Sequence, residues 1–222
     1  MKNERDCGEA DMENNLAVYQ SVITDIKEII LSGREKAYNA TSKAMVFTYW
    51  HIGKRIVEQE QDGKQRAEYG KALIETLAGE LTREYGKNYS KRNLHYFRKF
   101  YLAFPDEQIV NTCVHNLNWS HFKSLLRVHD DDARYWYMKE ASAEGWNVRT
   151  LDRNIGTQYY YRLLQSPKKE AVIDEMKQKT GEFQKNKFEL LKNPIVAEFL
   201  GFKMVDYLKK ALIYGHTSRI SS

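Results

Sequence analysis

The sequence YGKNYSKRNLHYFRKFYLAFP, residues 85–105, predicts a turn, a helix and a firm stop. Gly86 can adopt the positive φ angle that ends a helix. Ser90 is a good N-cap because its hydroxyl can accept a hydrogen bond from a backbone N–H of the next turn. Pro105 cannot continue a helix and disfavours helical geometry at Phe104. A helix of about four turns is therefore expected between Ser90 and Pro105.

The predicted helix has two different faces, because each residue turns the chain by about 100°. Residues 87–105 hold five Lys or Arg and no Asp or Glu. An apolar face and a basic face are what a helix-turn-helix recognition helix needs, and a solvated helix on an ordinary core has them too. The apolar face comprises Leu94, Phe97, Phe100, Tyr101 and Phe104, and the basic face comprises Lys91, Arg92, His95, Arg98 and Lys99.

The first part of the chain has the apolar spacing of amphipathic helices and no strand alternation. Residues 15–31 and 34–61 predict two helices, with a break at Ser32 and Gly33. Residues 66–85 predict the helix that leads through a short turn into the basic helix.

The predicted fold is therefore mainly α, a helical bundle with a helix-turn-helix-like unit at about residues 66–104. Residues 106–117 are expected to hold a short helix, and a strand pair that acts as a wing is the alternative. Capping side chains then predict further helices. Those helices are expected at 120–128, from Asp130-Asp131-Asp132 to about 144, from Asn147 to about 164, and at 195–200.

Composition permits nucleic-acid binding without demanding it. The 222 residues carry a net charge of +5 and a pI near 9.0, so the location of the charges matters more than their sum. Two distant cysteines, Cys7 and Cys113, do not form a disulfide framework, which favours a cytoplasmic location. Neither a signal peptide nor an apolar run of membrane-spanning length is evident, so no membrane partner is expected.

Two places in the sequence hold residue types that can bind a metal ion. Cys113 and His115, with His121 and His129 nearby, lack the paired spacings of a closed zinc site. His121 is instead expected to be a helix-entry residue. Carboxylates at 130–132 are expected to start a helix, because they accept bonds from backbone N–H groups there. No metal ligand is predicted.

A series of short motifs, in this order, resembles the N-terminal domain of the YhcG-like nucleases. The resemblance covers roughly residues 15–202, and the whole series is far more specific than any single motif. The motifs are YWHIGKRIVEQEQ (49–61), RAEYGK (66–71), YSKRNL (89–94), FY (100–101), FP (104–105), LNWSH (117–121), EGWNVRTL (144–151) and PIVAEFLG (194–201).

The resemblance implies a two-part protein, in which a helical domain that handles DNA or partners precedes a nuclease domain of the PD-(D/E)XK superfamily. Such nucleases use carboxylates and a lysine with Mg²⁺ for phosphodiester hydrolysis. After Gly201 this sequence has no Asp followed by Glu-x-Lys, so no catalytic residue is carried over. Enzyme activity is therefore disfavoured for this chain without being decided, and no cofactor is expected, with Mg²⁺ required only if a nuclease domain were present.

The expected organisation is a disordered polar tail (1–14), a helical domain (15–165), a charged linker helix (166–192) and a truncated start of a nuclease domain (193–222). The predicted function is nucleic-acid targeting, with DNA as the favoured partner. The alternative is a protein–protein module that forms a homo-oligomer through the 34–61 helix or docks a separate nuclease subunit. The predicted contact residues are Lys87, Tyr89, Lys91, Arg92, His95, Tyr96, Arg98 and Lys99, with Arg149 and Arg153 as a secondary basic strip.

Overall fold

The computed structural model describes residues 4–62, 67–180 and 194–200. These residues form α-helices and one 3-10 turn, and no strand occurs among them. The protein is mainly α, as the apolar spacing predicted. The helices are α1 (Glu4–Asp62), α2 (Ala67–Tyr85), α3 (Lys91–Ala103), α4 (Glu107–Cys113), α5 (Trp119–Leu125), α6 (Asp131–Ala143), α7 (Val148–Gly156), α8 (Tyr159–Gln165), α9 (Lys169–Thr180) and α10 (Pro194–Phe199).

The chain divides into two compact units, residues 1–40 and 41–222, and helix α1 contributes to both. The predicted break at Ser32 and Gly33 is wrong, because α1 is continuous there. A Cβ atom at Gly33 would have no neighbour within 4 Å, so this glycine sits in an ordinary helical turn. The helix begins at Glu4, which lies inside the segment predicted to be a tail.

Helices α2 and α3 are joined by the 3-10 turn Lys87–Tyr89. Gly86 has the predicted positive φ angle, 94°, and the Gly86 N–H donates to the carbonyl of Thr82. Ser90 occupies the N-cap position of α3, but the predicted hydroxyl bond to the backbone is not formed. At the other end, Phe104 leaves the helical conformation before Pro105, as predicted.

The shorter helices begin at residues whose side chains accept backbone bonds. Asp130 accepts a hydrogen bond from the N–H of Ala133, and Asn147 accepts one from Thr150, so both predicted caps are confirmed. The segment 106–117 contains α4 rather than a strand pair. Because each cap satisfies a backbone group that the first helical turn leaves unpaired, these sites fix where the helices start.

One predicted helix is interrupted. Residues 148–164 were expected to be a single helix, but Gln158 adopts a left-handed conformation with φ 53° between α7 and α8. The hydroxyl of Tyr137 explains the break, because it accepts a hydrogen bond from the N–H of Tyr160 and donates one to the carbonyl of Asn154. A side chain from α6 thus bonds backbone groups on both sides of the break.

The core of residues 41–200 is aromatic. Tyr49 of α1 stacks on Phe97 of α3 with 4.1 Å between the ring centroids, and Trp119 of α5 packs against both rings. The indole N–H of Trp50 donates to the carbonyl of Phe104 at 2.8 Å, which satisfies a buried acceptor at the end of α3. Helices α1, α3 and α5 are therefore held together by one aromatic cluster.

Helices α1 and α3 touch through their backbones at Gly53. A Cβ atom at Gly53 would lie 2.0 Å from the carbonyl oxygen of Phe97 and 2.7 Å from its carbonyl carbon. No side chain larger than hydrogen fits there without moving one helix. The contact sets the rotation of α3 and so decides which of its residues face outward.

Helices α9 and α10 are the last two described helices of the chain. The predicted linker helix is α9 as far as Thr180, and residues 181–192 lie outside the described residues. Helix α10 corresponds to the helix predicted at 195–200. It lies against the 3-10 turn, where the Asn88 side chain donates a hydrogen bond to the carbonyl of Ile195. The remainder of the 193–222 segment also lies outside the described residues. No described helix has the length and apolarity that crossing a membrane requires.

Candidate nucleic-acid interface

Helix α3 has the two faces that the sequence predicted. Leu94, Phe97, Phe100 and Phe104 are fully buried, while Tyr101 is partly buried with its ring 5.2 Å from that of Trp50. This apolar face packs against α1 and α5. The opposite side of α3 is therefore the side that remains available to solvent and ligands. Its exposed residues are Lys91, Arg92, His95, Lys99 and Leu102.

Two of the predicted contact residues have acidic partners. Lys91 pairs with Glu75 of α2. Arg98 was expected on the outer face, but it lies at the edge of α3, where its Nε is 2.7 Å from Oε2 of Glu60. The side chain of Glu60 is only 17% exposed, so this pair is shielded from water on one side. Much of the charge of Lys91 and Arg98 is thus balanced within the protein.

Positively charged side chains from two helices surround Tyr96. The guanidinium of Arg92 lies 5.9 Å from the ring centroid of Tyr96, and the ammonium of Lys123 lies 5.5 Å from it. A hydrogen bond from Arg92 lowers the pKa of the Tyr96 hydroxyl below its usual value, and the nearby charges of Lys123 and Lys99 act in the same direction. We call Arg92, Tyr96, Lys99 and Lys123 the cationic cluster.

The packing of α5 on α3 builds this cluster. Phe100 and Phe122 have ring centroids 4.7 Å apart, so the next residue of α5, Lys123, comes beside Tyr96, one turn before Phe100. The ammonium of Lys99 donates to the carbonyl of Leu126, at the end of α5. A lysine is favourable there because the carbonyls at a helix end carry partial negative charge.

The other predicted residues occupy different surroundings. Lys87 and His95 are exposed, on the 3-10 turn and on α3 respectively. Tyr89 is half-buried and belongs to the aromatic cluster, since its ring makes edge contacts with those of Tyr49, Tyr85 and Phe97. Tyr89 therefore supports the turn, which makes it a weaker candidate for ligand contact than Tyr96.

The secondary strip lies on α7. Arg149 is exposed and Arg153 is half-buried, one turn further along the same helix. Helix α7 packs against α5, the helix that supplies Lys123. Between them, Arg127, two residues beyond the end of α5, pairs with Asp152 of α7. The strip and the cationic cluster are thus on adjoining helices, with an ion pair at the junction.

The histidine and cysteine candidates have structural positions. His121 is the predicted helix-entry residue of α5, where its Nδ1 accepts the N–H of Asn118 and its Nε2 donates to the carbonyl of Trp146 at 2.9 Å. Burial lowers the pKa of His121 to about 4. Burial also raises the pKa of the Cys113 thiol. Among the described residues, no three His, Cys, Asp or Glu side chains are grouped to hold a metal ion.

Lys123 is the residue that the sequence analysis missed. It follows the aromatic motif at 117–122 on a separate helix, and nothing in its spacing connects it to α3. The connection depends on which faces of α3 and α5 pack together. The only sequence signal was Phe122. Its packing against Phe100 brings the next residue, Lys123, beside α3.

Comparison with known proteins identifies the family. Residues 25–162 match the DUF1016 N-terminal domain. Over 220 residues the chain is 33% identical to the protein named "Putative nuclease YhcG" of Escherichia coli (strain K12). The matched region covers 86% of this chain and 58% of that protein. No solved structure matches. The chain thus spans less than two thirds of this relative, and it belongs to the DUF1016 N-terminal domain family.

Proposed function

We propose that this chain binds DNA through the cationic cluster and acts as the targeting domain of a YhcG-like nuclease. The observation that carries the proposal is the position of Tyr96 between cations from two helices. An aromatic ring flanked by Arg and Lys can meet a sugar or base while the cations meet phosphates. The name of the relative, a nuclease, supports a substrate of this class.

The proposed interface is narrower than the sequence prediction. Arg92, Lys123 and Lys99 carry most of the phosphate contact, with Lys87 and His95 at its margin. Lys91 and Arg98 contribute less, because a phosphate would have to compete with Glu75 and Glu60. Such contacts supply affinity and position rather than sequence recognition. The helix-turn-helix role of α2 and α3 is part of this proposal.

The test is a fluorescence-anisotropy titration of a labelled DNA duplex across a salt series. If about four cations meet phosphates, log K should fall with log[salt] at a slope of about −3.6, which is roughly −0.9 per contact. The Arg92→Glu/Lys123→Glu variant should weaken binding by at least about tenfold and reduce the slope by about 1.8. Binding that is absent, or equally strong in this variant, contradicts the proposal.

The control variant is Lys168→Glu/Lys169→Glu, which makes the same change in charge on exposed residues at the start of α9. It should keep the slope of the unmodified chain. If both variants lose binding equally, net charge rather than the cationic cluster is responsible. Arg98→Glu is a poor choice for this test, because it would place a carboxylate against half-buried Glu60 and destabilise the fold.

Variants of Tyr96 distinguish stacking of its ring on a base from contact by the cations alone. Tyr96→Phe retains the ring, while Tyr96→Ala removes it. If the ring stacks on a base, Tyr96→Ala should cost about 1–3 kcal/mol in binding a single-stranded oligonucleotide, and Tyr96→Phe should cost little. Equal affinities for all three chains would show that Tyr96 neither stacks on a base nor is needed to position Arg92 and Lys123.

A further inference from the structure

Residues 19–40 of α1 carry a row of exposed apolar side chains that the proposed function does not use. Tyr19, Ile23, Ile26 and Ile30 follow one another at steps of four, three and four residues, and each is between 44% and 65% exposed. Small residues, Gly33, Ala37 and Ala40, continue the same row. This spacing is the a/d pattern of a coiled coil, and we call the row the apolar seam.

Two further apolar residues widen the apolar seam on one side. Val22 and Ile29 occupy the g positions of the heptad and are 48% and 70% exposed. With roughly 100 Å² exposed on each of the six large side chains, two copies would bury on the order of 1,200 Å², above the roughly 1,000 Å² of a specific interface. An exposed apolar patch of this size marks an interaction site.

The charges beside the apolar seam select one arrangement of two copies. The e positions are basic at Lys27 and Arg34, whereas the acidic Glu28 and Glu35 occupy f positions on the far side. An antiparallel pair would bring e against e and so set these cations against each other. A parallel pair brings e against g, where Lys27 and Arg34 meet aliphatic Val22 and Ile29.

We propose that a second copy of this chain covers the apolar seam in a parallel, two-stranded coiled coil. Small residues at 33, 37 and 40 allow two helices to approach closely. The homo-oligomer predicted through the 34–61 helix is thus proposed at residues 19–40 instead, because most apolar side chains at 45–57 are buried in their own unit. The inference does not depend on DNA binding, and dimerisation would double the phosphate contacts of each complex.

The first experiment measures the mass of the full chain in solution by light scattering over a concentration series. The unmodified chain should have the mass of two chains. Ile26→Glu/Ile30→Glu should have the mass of one, because two buried carboxylates per helix oppose pairing. The matched control, Ser21→Glu/Thr24→Glu, adds the same charge to α1 off the apolar seam and should retain two chains.

The second experiment tests orientation and stays informative if the double variant misfolds. In a Cys7→Ser background, Tyr19→Cys and Ile30→Cys are made separately and oxidised. In a parallel pair, each forms a disulfide to its own copy; an antiparallel pair brings at most one of these positions together. A single-chain mass at every concentration, pairing that survives Ile26→Glu/Ile30→Glu, or cross-linking at only one position would overturn the proposal.

Discussion

Helix α1 carries apolar side chains at helical spacing in two regions, and their surroundings differ completely. In residues 45–57 six apolar side chains are at most 4% exposed, whereas in residues 19–30 six are 44–70% exposed. Spacing alone therefore predicts that a face is apolar, but it does not predict what covers that face. The buried set is Met45, Val46, Tyr49, Trp50, Ile56 and Val57, and the exposed set is Tyr19, Val22, Ile23, Ile26, Ile29 and Ile30.

The glycines of α1 give the sharpest test of this difference. Gly53→Ala should lower the free energy of unfolding by about 4 kcal/mol, above the usual cost of overpacking, because the new Cβ meets the backbone of Phe97. Gly33→Ala should instead raise helix stability by about 1 kcal/mol, since its Cβ meets nothing and alanine favours the helix. Urea unfolding and helical circular dichroism, at concentrations where the chain is monomeric, measure both. The same sign for the two variants would contradict the backbone contact.

Acid should destabilise residues 41–222 through His121. Residues 19–40 contain no histidine, so no such effect is expected there. The pKa of His121 is lowered to about 4, so the unfolded chain binds a proton that the native chain does not. Stability is full above about pH 6.5 and should fall by about 3 kcal/mol as the pH drops from 6.5 to 4. Urea unfolding at several pH values measures this. His121→Asn should lose the pH dependence in that window; an unchanged slope would assign it to other groups.

Removing the indole N–H of Trp50 should have a smaller effect. Trp50→Phe leaves the buried carbonyl of Phe104 without that donor and should cost about 2 kcal/mol. Tyr19→Phe removes a polar group from the exposed region of the same helix and should change stability by less than about 0.5 kcal/mol. Thermal unfolding of the two variants provides the comparison, and similar shifts would show that burial does not distinguish these sites.

The smallest effect is expected from a single methylene. Ile56→Val should cost about 1 kcal/mol, because Ile56 is buried and the removed group leaves a small cavity. Ile29→Val makes the same chemical change at a side chain that is 70% exposed, so the unfolding of the monomer should hardly change. The denaturant midpoints of both variants, compared with that of the unmodified chain, measure the two losses of stability. Equal losses would mean that residues 19–30 are buried in the chain's own fold.

The sequence predicted much of the fold because caps and turns are local. Gly86, Asp130, Asn147 and Pro105 each act on neighbouring residues, so their effects can be deduced without the tertiary structure. The interruption at Gln158 could not be deduced in this way, since it depends on the hydroxyl of a tyrosine from another helix. The break expected at residues 32–33 is wrong for a different, local reason, because an isolated glycine is tolerated inside a long helix.

The candidate site was predicted in part. Arg92, Tyr96 and Lys99 share a face of α3 that helical spacing alone defines. The residues that complete or weaken this site lie elsewhere in the chain. Glu60 of α1 balances the charge of Arg98, and Lys123 of α5 adds a cation beside Tyr96. Such pairings arise from helix packing, which one sequence does not specify. Resemblance identified the family, but it did not rank the basic residues.

The backbone contact at Gly53 has a consequence for how the basic face can vary. The contact with Phe97 and the three buried residues of α3 fix the rotation of that helix without help from its outward side chains. Substitutions at Arg92 and His95 therefore change the charge presented to a ligand while leaving the fold nearly untouched. The same separation makes α3 a practical place to alter the surface charge of the protein.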